Sequence, residues 1–103
     1  MIDQLYFGRN VKGIQVVSDS AWNNFLADVV TPRFPKGFTF WPATGQWRYD
    51  DAQIEREASF VLGLLHQPSA VADSNIIVIT TAYKQRFHQE SVLRVSFPAR
   101  ASF

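Results

Sequence analysis

The sequence predicts an α+β fold of the ferredoxin-like type, in which two helices pack on one face of a four-stranded antiparallel sheet. Two segments have the spacing of amphipathic helices, four short segments have the composition of strands, and they follow the order β-α-β-β-α-β. In this topology the strand order across the sheet is 4-1-3-2. The chain has 103 residues, so we expect residues 1–103 to form a single domain with one core.

The first strand and the first helix come from the opening third of the chain. Residues 5–7, Leu-Tyr-Phe, predict a short aromatic strand within residues 2–9 that is closed by Gly8, and residues 10–17 predict a loop. Residues 18–20, Ser-Asp-Ser, are all suitable helix N-caps. An apolar stripe then follows at helical spacing: Trp22, Phe25, Leu26, Val29 and Val30. Pro32 is expected to end this helix by disfavouring helical geometry at Thr31.

The middle of the chain predicts a hairpin of two strands. Residues 38–41 alternate in the strand period, and Pro42 lacks the N–H that a ladder needs, so strand two should lie at a sheet edge or bulge. The order 4-1-3-2 also places strand two at an edge. Tyr49-Asp50-Asp51 predicts the polar tip of the hairpin, and the nearly continuous apolar run of residues 59–65 predicts a central strand three.

The last third of the chain predicts a second helix and a final strand. Asp73 is the expected cap, and helical spacing relates Ile76, Ile79, Thr80, Tyr83 and Phe87. Residues 76–81 are β-branched and locally prefer a strand, yet Lys84, Arg86 and His88 suit a helix C-terminus and favour the helix. In strand four, Leu93, Val95 and Phe97 are expected to face the core.

Composition excludes several classes of protein. With 47% hydrophobic and 15% aromatic residues, the chain is not disordered. Its net charge of +1, without a run of one sign, gives no footprint for nucleic acid or a membrane surface. It has no cysteine, which excludes disulfides, thiolate nucleophiles and Cys-bound zinc. Because no metal or cofactor motif is present, we expect no cofactor and no metal site.

The sequence also bears on location. No apolar run approaches the roughly 20 residues that a membrane helix needs. The N-terminus lacks a basic region followed by an apolar one, so no signal peptide is visible. We therefore expect a cytoplasmic protein as the sequence stands, or an exported one if a signal peptide has been removed.

Several short motifs occur in a characteristic order along nearly the whole chain. They are Tyr6-Phe7-Gly8, Thr31-Pro32-Arg33-Phe34-Pro35, Gly45-Gln46-Trp47-Arg48, Arg56-Glu57, Tyr83-Lys84-Gln85-Arg86-Phe87 and Gln89-Glu90-Ser91-Val92-Leu93. In combination they resemble the bacterial domain of unknown function family 3574. The resemblance implies membership of a small bacterial family whose proteins are often exported or lipid-anchored behind a signal peptide. That family has no assigned activity, so the resemblance implies no functional residues.

The best candidate ligand site lies at the upper end of the sheet, where the hairpin of strands two and three meets the turn after helix two. Trp47 offers a flat surface for stacking, and Arg48 and Arg56 offer guanidinium forks for a carboxylate or phosphate. Glu57 could bind a cation or, if the protein is an enzyme, act as a base. The alternative is that Arg48, Arg56, Glu57 and Glu90 form surface ion pairs, while Trp47 covers the sheet edge.

A second candidate lies at the lower end of the sheet. Arg33, between Thr-Pro and Phe-Pro, could contact an anion from a stiff loop. Alternatively, its guanidinium could donate to free carbonyls at the end of helix one. His66 and His88 fall at opposite ends of the predicted fold, so one monomer cannot join them in a metal site. Each is therefore expected to be a polar surface histidine.

Three functions remain open. The first is an oligomeric ligand-binding or interaction domain without catalysis, since the sheet face without helices would be covered in a dimer or trimer. The second is an enzyme, a lyase or hydrolase, with an inter-subunit site for a small anionic or adenosyl-type ligand. It is similar, at fold level alone, to trimeric nitrogen-regulatory proteins and phage S-adenosylmethionine lyases, in which an aromatic residue and a glutamate near strands two and three handle an adenosyl ligand. The third is a structural subunit.

Overall fold

The computed structural model of this chain describes residues 1–48 and 52–103. Its elements, in chain order, are β1 (Ile2–Gly8), β2 (Asn10–Val11), β3 (Ile14–Gln15), α1 (Asp19–Phe25) continued by a π-helical turn (Leu26–Val30), β4 (Thr39–Arg48), β5 (Ile54–Leu65), α2 (Ala70–Phe87) and β6 (Leu93–Phe97). The predicted hairpin tip, Tyr49-Asp50-Asp51, lies outside the described residues. Among the residues that are described, no helix has the length and apolarity needed to cross a membrane.

The main sheet has the predicted ferredoxin-like topology. Its order is β4-β5-β1-β6, and every neighbouring pair is antiparallel. These strands correspond to the predicted strands two, three, one and four, so both the fold class and the strand order are confirmed. β4 is an edge strand that contains Pro42, as the missing N–H required. The β-branched residues Ile76–Thr81 lie inside α2 and not in a strand.

The core lies between the sheet and the two helices. β1 contributes Leu5 and Phe7 to it, and both are fully buried. Trp22 of α1 stacks on Phe60 of β5, with ring centroids 4.6 Å apart and an interplanar angle of 12°. Tyr83 of α2 meets Phe7 edge-on at 4.6 Å. Each such side chain contributes about 1.5–3 kcal/mol by leaving water, so this aromatic cluster fixes both helices on the sheet.

The ends of α1 match the sequence only in part. Ser18 is the N-cap, and its Oγ accepts a hydrogen bond from the Ala21 N–H at 3.0 Å. The π-helical turn ends at Val30, just before Pro32, as expected. The predicted reason was wrong, because Thr31 keeps helical angles (φ −56°, ψ −43°). Pro32 interrupts the helical ladder by lacking an N–H to donate, and it leaves the geometry of Thr31 unchanged.

The start of α2 also differs from the prediction. The N-cap is Ser69, whose Oγ accepts from the Ala72 N–H at 3.0 Å. Asp73 lies in the first turn instead, so its prediction as the cap was wrong. Ser69 is the N-cap because its backbone is extended (φ −160°, ψ 160°), which is the conformation typical of an N-cap residue. At the other end, His88 adopts a left-handed conformation and terminates the helix.

The segment predicted as a loop between β1 and α1 contains a small hairpin. β2 and β3 pair through Asn10 with Gln15 and through Val11 with Ile14. The two residues between them, Lys12 and Gly13, have positive φ values of 50° and 79°. Positive φ at both central positions is what a two-residue hairpin turn requires. The segment is too short for its strand pattern to be recognised from sequence.

The facing of β6 is the main error of the sequence analysis. Arg94 pairs with Leu5 and Ser96 pairs with Asp3, so both face the helices. Leu93, Val95 and Phe97, which were expected to face the core, point to the other face and are 37–48% exposed. The physical reason is Asp3, a fully buried carboxylate that binds both Arg94 and Ser96. We call the sheet face opposite the helices the open face.

Candidate functional site

A large groove occupies the upper half of the open face, with a volume of about 1290 Å³. Its floor is made of small residues that the strand register places side by side. They are Gly8 on β1, Ser59 on β5, and Ala43 and Gly45 on β4. Because these residues have little or no side chain, the sheet backbone itself forms the bottom of the groove. The β4–β5 hairpin forms one wall, and the turn after α2 with the start of β6 forms the other.

Trp47 lies along the floor on the β4 side of the groove. A Cβ added at Gly45 would lie only 3.1 Å from Nε1 of Trp47, so the indole folds over this glycine. Trp47 remains 47% exposed, which leaves much of its surface available for contact. Tyr6 of β1 also lines the groove, and its hydroxyl donates to Oε1 of Gln4 at 3.0 Å. The groove therefore offers two aromatic side chains close to the backbone of the sheet.

Glu57 places a carboxylate over the upper end of β1. Its Oε1 accepts a hydrogen bond from the backbone N–H of Asn10 at 3.1 Å. Nε2 of Gln89 donates to the carbonyl oxygen of Asn10 at 3.0 Å, which ties the turn after α2 to the same residue. Glu57 is only partly buried and has no ion-pair partner within the described ranges, so its charge remains available to a ligand.

The groove is lined by charges of both signs. Its carboxylates come from Glu55, Glu57 and Glu90, and its basic groups from Lys12, Arg48 and His88. No ion pair joins Arg48, Arg56, Glu57 or Glu90 to any described residue, so the alternative of ion pairs among these four has no support in that part of the chain. Residues 1–48 and 52–103 also contain no group of three His, Asp or Glu side chains suited to a metal.

The structure brings three of the five predicted ligand-binding residues to one groove. Trp47, Arg48 and Glu57 all line it. Arg56 does not, because it alternates with Glu57 along β5 and so lies on the other side of the sheet. Arg33 lies at the lower end, where its Nη1 donates to the carbonyl oxygen of Val29 at 2.8 Å. That bond is the one proposed above as the alternative to an anion contact.

Tyr83 supports the groove from beneath. Its hydroxyl donates to the carbonyl oxygen of Gly8 at 2.6 Å, and its ring is fully buried in the core. Burial raises the pKa of this phenol, Arg9 opposes the rise, and Glu57 adds to it. Tyr83 therefore stays protonated and keeps donating, which fixes the upper end of β1 to α2 below the groove floor.

Sequence analysis missed a polar network at the lower end of the sheet. Asp3 is fully buried and accepts from Nε of Arg94 at 2.9 Å, from Nε2 of His66 at 2.6 Å and from the hydroxyl of Ser96. These residues line a cavity of about 190 Å³. Burial alone would raise the pKa of Asp3, but hydrogen bonds from Arg94, Ser96 and His66 outweigh it and lower the pKa to about 2.

This network corrects the prediction for His66, which is not a polar surface histidine. Its side chain is only 11% exposed because it packs against Asp3. A signal was present in the sequence, since Asp3 alternates in phase with the core residues Leu5 and Phe7. His88, by contrast, is exposed at the opposite end, as predicted.

Comparison with known proteins identifies a family and solved structures of similar fold. A family model described as protein of unknown function (DUF3574) matches residues 2–103. No curated protein matches the chain. A phage SAM lyase in complex with S-methyl-5′-thioadenosine has a similar structure, with a TM-score of 0.74 and 14% identity over 90% of this chain and 76% of that one. A phage SAM lyase in the apo state gives a TM-score of 0.69 and 15% identity over 90% and 75%. At these identities the likeness concerns the fold alone.

Proposed function

Since this chain belongs to the DUF3574 family of proteins of unknown function, we propose its function from the groove: it is a self-associating domain that binds a small, flat ligand of the adenosyl type on the open face. The observation that carries the proposal is the pairing of an exposed indole with a fixed carboxylate. The indole of Trp47 folds over Gly45, and Glu57 is held by the N–H of Asn10 on the same floor.

This pairing suits a nucleoside. An aromatic side chain that stacks on a purine contributes about 1–3 kcal/mol per base. A carboxylate accepts hydrogen bonds from ribose hydroxyls, as the acidic residue of dinucleotide-binding folds does. The phage SAM lyase of similar fold was solved with S-methyl-5′-thioadenosine, which is such a nucleoside, and this supports the choice of ligand class. The basic residues at the groove rim, among them Arg48, would suit an attached carboxylate.

The binding proposal is tested by calorimetric titration with S-methyl-5′-thioadenosine and with S-adenosylmethionine. Trp47→Ala should lower the affinity about tenfold to a hundredfold, because it removes stacking worth about 1–3 kcal/mol. Trp41→Ala is the matched control, since Trp41 is an exposed indole on the same strand outside the groove. Light scattering on each variant separates a loss of stacking from a loss of association.

Two outcomes would contradict the binding proposal. One is equal affinity of Trp47→Ala and the parent chain for the same nucleoside. The other is absence of binding by the parent chain at about 1 mM of either compound, a concentration that corresponds to only about −4 kcal/mol of binding free energy.

A second candidate function is catalysis on the same ligand, as a lyase or hydrolase. It is favoured by one observation: the carboxylate of Glu57 is partly buried, accepts one described hydrogen bond and has no ion-pair partner among the described residues. A carboxylate in that position could accept a proton from a bound ligand. General-base catalysis of this kind typically contributes about 10²–10⁴ in rate.

The catalytic proposal is tested by incubating S-adenosylmethionine with the parent chain and with Glu57→Gln, and following the products by chromatography. Glu57→Gln keeps the size of the side chain and removes its basicity, so turnover should fall at least a hundredfold while the nucleoside still binds. Glu55→Gln is the control, because Glu55 lines the same groove on the same strand. Binding without turnover by the parent chain would leave the protein as a binding domain.

A further inference from the structure

Gly8 ends β1 directly beneath the carboxylate of Glu57. A Cβ built at this glycine would lie 2.5 Å from Oε1 of Glu57 and 3.1 Å from its Cδ. It would also lie 3.1 Å from Oε1 of Gln89. Real Cβ atoms do not approach another heavy atom as closely as 2.5 Å, so any other residue at this position would have to displace Glu57.

The backbone gives no reason for a glycine at this place. Gly8 is absent from the residues with positive φ, which include Gly13 and Gly37, and it pairs with Ser59 in a regular antiparallel ladder. A glycine inside a strand weakens the strand, because it adds conformational entropy to the unfolded chain and buries no side chain. What the glycine provides here is room for the carboxylate.

The strand cannot move away to make that room. On the other side of the sheet the hydroxyl of Tyr83 donates to the carbonyl oxygen of Gly8 at 2.6 Å. The next residue is also fixed, since the N–H of Arg9 donates to the carbonyl oxygen of Ala58 at 3.1 Å. A side chain at position 8 would therefore push the end of Glu57, and not β1, out of place.

We infer that Gly8 is a positioning residue of the groove: its missing side chain lets the Glu57 carboxylate lie against β1 within reach of the Asn10 N–H, where it presents its remaining lone pairs to a hydroxyl or cationic group of the ligand. The inference rests on the proposed function and deepens it, because it states which group of the ligand lies over β1. An adenosyl-type ligand would place there its ribose hydroxyls, which donate hydrogen bonds, or its cationic sulfonium, and not its carboxylate.

The test compares Gly8→Ala with Gly63→Ala. Gly63 lies on the same face in the neighbouring strand, and a Cβ there would meet Trp41 at an ordinary 3.5 Å. Gly8→Ala should lower the affinity for S-methyl-5′-thioadenosine at least tenfold, while Gly63→Ala should leave it within about twofold. In a Glu57→Ala background the Gly8→Ala change should have no further effect, because it acts only through the carboxylate.

A second readout needs no ligand. In the parent chain the amide resonance of Asn10 should shift when Glu57 is replaced by Ala, since that N–H donates to Oε1. In Gly8→Ala this response should disappear, and in Gly63→Ala it should persist. If Gly8→Ala does not fold, the combined change with Glu57→Ala should restore folding, because it removes the atom that the new Cβ meets.

The outcomes separate the inference from the proposed function. If the parent chain binds neither nucleoside, the proposed function fails, and the Asn10 response still decides whether Gly8 positions Glu57. If the parent chain binds and Gly8→Ala binds equally well with an unchanged Asn10 response, the inference is overturned and the proposed function stands. A loss of affinity by Gly8→Ala that persists in the Glu57→Ala background would also overturn it.

Discussion

At the residue scale, Asp3 shows how a buried charge is made tolerable. A carboxylate in an apolar interior is costly unless it is paired and hydrogen-bonded. Here the guanidinium of Arg94, the imidazole of His66 and the hydroxyl of Ser96 all donate to it. Arg94 also donates to Asp73 at the start of α2 through Nη1, at 2.8 Å. The network therefore joins β1, β6 and α2 at the end of the sheet opposite the groove.

The lowered pKa of Asp3 predicts an acid-sensitive fold. A carboxyl group whose pKa falls from 3.8 in the unfolded chain to about 2 in the folded one stabilises the fold above pH 4, by about 2 kcal/mol. This contribution is lost as the pH falls from about 4 to 2. Urea unfolding of the parent chain and of Asp3→Asn at pH 7, 4 and 2.5 measures it. Asp3→Asn should cost about 3 kcal/mol at pH 7 and should lose the pH dependence between 4 and 2.5.

The control for this prediction is Asp28→Asn. Asp28 pairs with Arg86 at 3.3 Å, but both side chains are largely exposed, so the substitution should change the unfolding free energy by less than about 0.5 kcal/mol. A parent chain and an Asp3→Asn variant that lose stability in parallel below pH 4 would contradict the assignment to Asp3.

At the element scale, periodicity predicted the type of each element, helix or strand, better than it predicted which of its side chains face the core. The stripe of α1 and the proline of the edge strand β4 were readable, since each depends on local spacing. α2 is a helix despite its β-branched run. The burial of Ile76, Ile79 and Tyr83 against the sheet overrides the local preference for a strand, and the capping serine and the basic C-terminal end also favour the helix. β6 was assigned the wrong face because apolar residues were assumed to point inward. The buried Asp3 on the neighbouring strand reverses that assumption.

For the candidate site, the sequence predicted the location but not all of the contacts. Topology alone places the β4–β5 hairpin beside the turn after α2, and so brings Trp47 and Glu57 to one end of the sheet. The alternation of side chains along a strand is enough to separate Arg56 from Glu57. The parts played by Gly8, Asn10 and Gln89 could not be predicted, because they depend on strand register and on a short hairpin that the sequence does not signal.

At the scale of the whole molecule, the groove and the apolar part of the open face form one continuous surface. The register aligns Trp41, Val61, Tyr6 and Leu93 across the four strands. This row lies beside the groove floor, and Tyr6 and Leu93 also line the groove. A second subunit that covered the row would therefore reach the groove, so association and ligand binding would share a surface.

This arrangement predicts that a single charge on the open face both separates the subunits and changes ligand binding. Val95→Glu places a carboxylate between Leu93 and Phe97 on the open face, so association would bury an unpaired charge at a cost of several kcal/mol. Ile77→Glu is the control. Ile77 is also an exposed apolar side chain, but it lies on the outer surface of α2 and not on the open face. Light scattering at micromolar concentration should give a dimer or trimer for the parent chain and for Ile77→Glu, and a monomer for Val95→Glu.

Titration of the same three proteins with S-methyl-5′-thioadenosine then locates the site relative to the interface. If a neighbouring subunit completes the groove, Val95→Glu should lose affinity at least tenfold although it leaves Trp47 and Glu57 in place. If the groove is complete in one subunit, a monomeric Val95→Glu should bind as the parent chain does. A parent chain that scatters as a monomer would refute self-association. The apolar row would then be an exposed surface with no partner of its own kind, and the groove would have to bind its ligand within one subunit.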